Sequence, residues 1–284
     1  MHDIFFFTDV HGCYDLYRAA MDYCNEQDPE AMIIFGGDAC DRGPDGYKIM
    51  KELLDNPKVV YLKGNHEDLF VQAAVRLKSF YDWPRTKECA RDFLYDCAGY
   101  DNDVANSVFN GGMDTLADWI VDDMPMNFVY RIHNLPLTVQ YENLDFCHAG
   151  GDPKVYKRVV DNEYDEILVN EKDAKMLLWD RNWLGFGWWP NRICVFGHTP
   201  TPHLPAKCYG QDTSTAHAHP CTYVGMIDER LTGARLDMDT GAFCSGKLYV
   251  LNCLTMKAQG FYDKDVENNE IKDHKVEKIE VIQF

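Results

Sequence analysis

Five apolar runs of this chain end in side chains of the types that can bind metals. They are Phe5-Phe6-Phe7-Thr8-Asp9-Val10-His11-Gly12, Ile33-Ile34-Phe35-Gly36-Gly37-Asp38, Val60-Tyr61-Leu62-Lys63-Gly64-Asn65-His66-Glu67, Asp145-Phe146-Cys147-His148-Ala149-Gly150 and Cys194-Val195-Phe196-Gly197-His198-Thr199-Pro200. Carboxylates, imidazoles and an amide oxygen together suit a borderline divalent ion such as Mn, Fe or Zn better than Ca, which prefers all-oxygen cages. Taken singly, Asp9 with His11 reads as a strand-end cap, Asp38 as the cap of the next helix and Asn65-His66 as a turn. Five recurrences at the same end of strand-like runs read differently, because ligands in open α/β sheets bind at the carboxyl ends of the strands. The pattern predicts one cluster in space, with glycines beside each ligand to allow tight turns and close backbone approach.

The elements that must position this cluster can be read from periodicity. Asp3–Thr8, Ala31–Phe35 and Lys58–Leu62 are nearly continuous apolar runs, as expected of strands covered on both faces. Helical patterns over Tyr14–Gln27 and Pro44–Asp55 separate them, and this βαβαβ order predicts a parallel sheet. From Glu67 to about Val129 the pattern turns mainly helical, with Asn110-Gly111-Gly112 marking a break before an amphipathic Asp114–Val121. Strand-like runs return at Leu137–Tyr141, Leu144–Cys147, Arg192–Phe196, Tyr223–Ile227, Gly246–Leu251 and Val276–Phe284, and the polar stretch Asp263–Lys278 reads as a mobile loop. The expected organisation is one domain over residues 1–284, with a helical insertion at about 67–130 and a polar C-terminal extension at about 263–284.

Composition removes several classes of function. Acidic residues outnumber basic ones 46 to 28, for a formal charge of -18, which opposes nucleic acid and anionic membranes as partners. A phosphate substrate would need a locally cationic site. No apolar run approaches the roughly 20 residues that span a bilayer. Met1-His2-Asp3 is acidic where a secretory signal would be basic, so the cytoplasm is the expected compartment. The 11 cysteines are scattered and many fall in apolar runs, so free thiols are expected throughout.

These blocks resemble the signature of the metallophosphoesterase superfamily, and specifically its phosphoprotein phosphatase branch, through Asp9-x-His11-Gly12, Gly37-Asp38-x-x-Asp41-Arg42-Gly43 and Gly64-Asn65-His66-Glu67. Downstream, His148-Ala149-Gly150, Leu177-Leu178-Trp179-Asp180-Arg181, Gly197-His198-Thr199-Pro200 and Asp239-Thr240-Gly241 are similar to the shorter bacterial and phage members of the lambda phosphatase type, over about residues 3–252. The resemblance implies a two-sheet αββα sandwich and two divalent ions per chain, Mn first and Fe or Zn next. It implies that Asp9 and His11 hold the first ion, that Asp38 bridges, and that Asn65, His148 and His198 hold the second. Arg42 and Arg181 would grip phosphate oxygens, and His66, held by Asp41, would protonate the leaving group.

The chemistry is coherent. Two ions about 3.5 to 4 Å apart lower the pKa of a shared water until hydroxide exists at neutral pH. Planar guanidinium forks meet the charge of the phosphoryl oxygens bidentately, and an imidazolium returns a proton to the departing alkoxide. Arg181 is the weaker clamp on sequence grounds, since Trp183, Phe186, Trp188 and Trp189 around it also fit a packing loop. Between His198 and Asp239 lie His203, Cys208, His217, His219 and Cys221, residue types of a structural zinc site, but their spacing fits no standard module and a surface loop is the preferred reading. The expected function is metal-dependent hydrolysis of phosphate monoesters on serine, threonine or tyrosine of proteins. The rivals are a symmetrical bis(5'-nucleosyl)-tetraphosphatase or other nucleotide phosphoesterase, whose members generally lack an acid at the Asp41 position, and a non-catalytic phosphopeptide-binding module, for which the sequence shows no inactivating lesion.

Overall fold

The computed structural model describes residues 2–79, 84–162, 171–182, 187–204, 219–227, 230–264 and 276–284. β1 (Ile4–Phe7), β2 (Met32–Phe35) and β3 (Val59–Tyr61) alternate with α1 (Tyr14–Gln27) and α2 (Gly46–Asp55), as the apolar runs require. The helices α3 (Asn65–Leu77), α4 (Lys87–Ala98), α5 (Asn102–Ser107), α6 (Met113–Val121) and α7 (Met126–His133) follow, with a π turn over Val108–Gly112 between α5 and α6. Next come β4 (Thr138–Tyr141), β5 (Leu144–Cys147), α8 (Pro153–Asn162), α9 (Glu171–Trp179), β6 (Ile193–Phe196), β7 (Cys221–Ile227) and β8 (Arg230–Asp237). The chain ends with α10 (Ala242–Ser245), β9 (Lys247–Asn252), β10 (Lys257–Asp263) and β11 (Val276–Gln283).

Two mixed sheets result. The first runs β11-β10-β9-β1-β2-β3 and the second β4-β5-β6-β8-β7. The expected parallel core β1-β2-β3 is present, and β5-β6-β8 forms a second one. Antiparallel strands extend the first sheet through β9, β10 and β11 and flank the second as β4 and β7. The period of two along each central strand sorts side chains into layers. On β1, Phe5 and Phe7 join the core beneath the helices, whereas Ile4 and Phe6 face the second sheet. There they meet Leu144, Phe146, Val195 and Leu236, with the Phe6 and Phe146 rings 5.4 Å apart. A third cluster, including Tyr156, Leu177, Trp188 and Phe196, fills the outer face of the second sheet. Helix, sheet, sheet and helix thus stack in four layers. The parallel strands β1, β2, β3, β5 and β6 carry their carboxyl ends toward Asp9, Asp38, Asn65, His148 and His198.

Two strands, β8 and β10, have no counterpart among the sequence-read elements. β8 buries Arg235 and Asp237 at 1% and 0% exposure, and charged residues facing inward erase the apolar signature of a central strand. Of the polar stretch expected to be a loop, Asp263 belongs to β10 and Val276 to Lys278 belong to β11. Residues 265–275 lie outside the described residues. Among the described residues no helix is long and apolar enough to cross a membrane.

Candidate metal centre

Asp9 and His11 follow β1, Asp38 follows β2, Asn65 opens α3 after β3, His148 follows β5 and His198 follows β6. All six are buried. The backbone turns hard to bring them in: Asp9, His11, Asp38, Asp41, Arg42 and His198 are six of the eleven non-glycine residues with positive φ among the described residues. That conformation costs about 1–2 kcal/mol per residue and concentrates where function depends on it. Gly37, at φ 98°, has no alternative residue, since a Cβ there would meet the Gly64 Cα at 2.7 Å and His148 Nδ1 at 2.9 Å.

Two donor groups share Asp38. On one side, His11 Nε2 lies 3.5 Å and His66 Nε2 3.8 Å from Asp38 Oδ2. On the other, His148 Nε2 lies 3.4 Å from Asp38 Oδ1 and 3.0 Å from Asn65 Oδ1, and His198 Nδ1 lies 2.8 Å from the same amide oxygen. Donor separations near 3 Å are polyhedron edges around an ion with bonds of about 2.1 Å. His11 Nδ1 donates to the Cys40 carbonyl and His148 Nδ1 to the Gly36 carbonyl, each at 2.9 Å. These bonds fix both rings and turn their Nε2 atoms inward. Asp9 stands apart from both groups. Its carboxylate accepts from Thr8 Oγ1 at 2.6 Å and from the His198 N–H at 3.2 Å.

The electrostatics suit a cation. Burial drives His11 down, and burial followed by repulsion from His148 and Arg181 drives His198 down to about 2, so both rings are neutral. Burial pushes Asp38 up, but the surrounding imidazoles of His148, His66, His11 and His198 more than reverse this and leave it low. Burial and the charge of Asp38 push Asp9 up, while Asp239 rises through burial and Asp9, and Asp237 through burial and Asp239. Neutral imidazoles, an ionised carboxylate and crowded acids form a donor set for divalent ions, so the residues present fit a metal pair.

This arrangement predicts a stability signature. A carboxyl whose folded pKa is raised stabilises the fold only while protonated, so the metal-free protein should lose stability as pH rises through the raised pKa of Asp9. Metal replaces that proton. Scanning fluorimetry should therefore show a Tm gain from Mn that grows as pH rises above the ordinary carboxylate range. A gain that shrinks as pH rises would contradict the site.

The neighbouring side chains complete the centre. His66 Nδ1 meets Asp41 Oδ2 at 2.8 Å. Burial works against the charged ring, but Asp38 and Asp41 outweigh it and raise His66 to about 9. Arg42 is exposed, and its Nη2 lies 3.2 Å from His66 Nε2, within hydrogen-bond reach of the neutral ring. That contact exists only while Nε2 lacks a proton; protonation there frees the guanidinium to meet an anion. Arg181 is also exposed, and its charge lowers both His198 and Asp237. Trp179 edges the His198 ring with centroids 6.2 Å apart. Trp183 and Phe186 lie outside the described residues, whereas Trp188 is core.

Glu67, quoted in the motif but given no role from sequence, knits the site together. Its buried carboxylate accepts from the N–H groups of Asp38, Ala39 and Gly64 and from Tyr61 Oη, all at 2.8 Å. Its position three residues into α3 is the capping-box spacing, a signal available in the sequence. Of the suggested zinc ligands, Cys208 and His217 lie outside the described residues. His219 Nδ1 meets Tyr249 Oη at 3.0 Å, and among the described residues none of the set joins a metal-binding group. The ten described cysteines carry free thiols.

The profile of the calcineurin-like phosphoesterases matches residues 2–217. The chain belongs to this family. The family accounts for the two-sheet fold. Curated relatives match locally. A symmetrical bis(5'-nucleosyl)-tetraphosphatase of Buchnera aphidicola is 33% identical over 64 residues, covering 22% of this chain and 23% of the relative. A class 3 fructose-1,6-bisphosphatase of Staphylococcus xylosus is 36% identical over 155 residues, covering 48% of this chain and 21% of that protein. The matches thus span less than a quarter of either relative's length. Among solved structures, a putative diadenosine tetraphosphatase superposes with a TM-score of 0.52 at 15% identity, over 91% of this chain and 92% of that one. A cold-active protein tyrosine phosphatase gives 0.50 at 13% identity, over 98% and 78%. At these identities the likeness is one of fold.

Proposed function

We propose that this calcineurin-like phosphoesterase is a phosphomonoesterase of the phosphoprotein phosphatase kind, acting on phosphoserine, phosphothreonine or phosphotyrosine in proteins. The observation that carries this reading is the Asp41–His66 pair at 2.8 Å beside the exposed Arg42 fork. Asp9, His11 and Asp38 would hold one divalent ion and Asp38, Asn65, His148 and His198 the other, with Mn, Fe or Zn as fitting metals. When bound, the pair supplies Lewis-acid charge and an activated water. The chain's own residues do the rest. Arg42 and Arg181 bind and orient a dianionic phosphoryl group, since a planar fork grips two oxygens where Lys grips one. His66 Nε2 holds a proton for the leaving oxygen while Asp41 fixes the ring through Nδ1.

A nucleotide substrate is the second reading, favoured by the local likeness to the Buchnera tetraphosphatase. Against it stands the net charge of -18, which repels a polyanionic tetraphosphate bridge outside the metal site. Steady-state assays with Mn on a phosphoserine peptide, a phosphotyrosine peptide and diadenosine tetraphosphate separate the two. The expected kcat/KM is at least ~10-fold higher on a phosphopeptide, equivalent to about 1.4 kcal/mol. A preference for the dinucleotide would replace the first reading with the second.

A further inference from the structure

Asp41 and Arg42 are consecutive non-glycine residues at φ 68° and 67°, a conformation that persists only when its surroundings hold it. Those surroundings come from the helical segment after β3. The Arg42 N–H donates to the Gly111 carbonyl at 2.9 Å, and the Asp41 N–H donates to Thr115 Oγ1 at 3.0 Å. Gly111 belongs to the π turn Val108–Gly112 and sits at φ 100°. A Cβ there would stand 2.9 Å from Arg42 N and 3.0 Å from its Cγ. At Gly112 a Cβ would lie 2.5 Å from Ser107 Oγ and 3.2 Å from Asp41 Oδ1. Thr115 is fully buried in the first turn of α6. A π turn wedged into a helical stretch is costly, and such turns gather at functional sites.

We infer that the π turn and Thr115 are a positioning device for the reaction: Thr115 aims Asp41 at His66, and Gly111 aims Arg42 at the phosphate. The inference rests on the reading of His66 as the acid and Arg42 as the clamp. Thr115 and Gly111 touch neither substrate nor metal; they act through the two residues whose backbone they fix. Because Asp41 and Arg42 are adjacent, one device sets both, which explains why a double glycine precedes α6 where a single N-cap would have sufficed. Without Thr115 Oγ1 the buried Asp41 N–H loses its acceptor, and the pair is expected to relax away from φ near 68°. The Asp41 carboxylate then no longer fixes the His66 ring.

Leaving-group dependence tests this, because an alkoxide needs the His66 proton and para-nitrophenolate does not. Thr115→Val keeps the shape and removes the acceptor. It should lower kcat on a phosphoserine peptide by ~10-fold or more while changing kcat on para-nitrophenyl phosphate by less than ~3-fold, with KM and metal content held. Thr115→Ser should restore the peptide rate. Gly111→Ala, acting through Arg42, should raise KM for both substrates by ~10-fold. Full peptide turnover by Thr115→Val, or equal losses on both substrates that Thr115→Ser does not repair, would overturn the inference. A metal-loaded wild-type protein that hydrolyses neither substrate would overturn the phosphatase reading first, and the inference with it.

Discussion

Replacing Asp38 with Asn is expected to lower kcat by ~1,000-fold or more, about 4 kcal/mol of lost transition-state stabilisation. Asp38 points one oxygen at each of the two donor groups, Oδ1 toward His148 and Oδ2 toward His11 and His66. An amide keeps the volume but removes the charge and turns one acceptor into a donor. That NH2 would then face the Nε2 lone pair of His11 or of His148, satisfying it by a hydrogen bond where an ion belongs. Asp38 Oδ1 also accepts the His66 N–H at 3.0 Å, a bond the amide oxygen can keep. The variant should therefore fold and lose the Tm gain that Mn confers. Metal analysis beside turnover of para-nitrophenyl phosphate decides the matter. Two tightly held ions with parental turnover would remove Asp38 from the bridge, and the dinuclear reading would go with it.

The legibility of this centre in the sequence has a physical cause. Each candidate ligand sits just beyond the end of an apolar strand with a glycine nearby, and the strand's apolar run makes that junction conspicuous. Phe5-Phe6-Phe7 is apolar at every position because alternate side chains feed two different cores; hence β1 is unmistakable and Asp9 and His11 are found at its end. The helix Tyr14–Gln27 is legible to the residue for the related reason that only one of its faces is buried. β8 fails the same test. Arg235 is buried against the Gly151 carbonyl at 2.7 Å and over the Trp188 ring at 4.8 Å, and the buried Asp237 closes the strand within reach of the charge of Asp9. Charge placed inside a sheet for local reasons defeats a reading that equates strands with apolar runs. The π turn was hidden differently. Asn110-Gly111-Gly112 reads as a break before a helix, and nothing in its local pattern reports that Gly111 contacts Arg42, a residue 69 positions earlier (111 − 42). Contacts of that kind follow from the packing of α6 against α2, which periodicity predicts for each helix separately and never for the pair. Asp9 shows the converse limit, since its residue type and position are legible while its carboxylate direction, toward Thr8 and His198, belongs to the folded chain.

His66→Asn is the variant with the other large expected effect, and it separates two roles that geometry alone leaves adjacent. The ring lies within reach of the donor group of His11 and Asp38, with Nε2 3.8 Å from Asp38 Oδ2, so a third-ligand role is sterically open. Its Nδ1, however, is engaged by Asp41 at 2.8 Å, and its pKa is raised to about 9. A ligand must present a lone pair, as the neutral rings of His11 and His198 do, whereas a group biased toward imidazolium holds a proton to give. Asn at this position retains the backbone N–H that Asp38 accepts and supplies no acid. Turnover of a phosphoserine peptide should fall by ~100-fold to ~10,000-fold, the range general acid catalysis contributes. Turnover of para-nitrophenyl phosphate should fall far less, because its leaving group departs without a proton. Metal content should stay at the parental level. Loss of one ion in the variant, with both substrates slowed alike, would make His66 a ligand, and would leave Arg42 and Arg181 to meet the leaving oxygen through a water. Retained metal with the loss confined to the alkyl ester would tie the proton to His66, and the Asp41–Arg42 turn would then be held in its strained conformation for the sake of that proton and of the phosphate beside it.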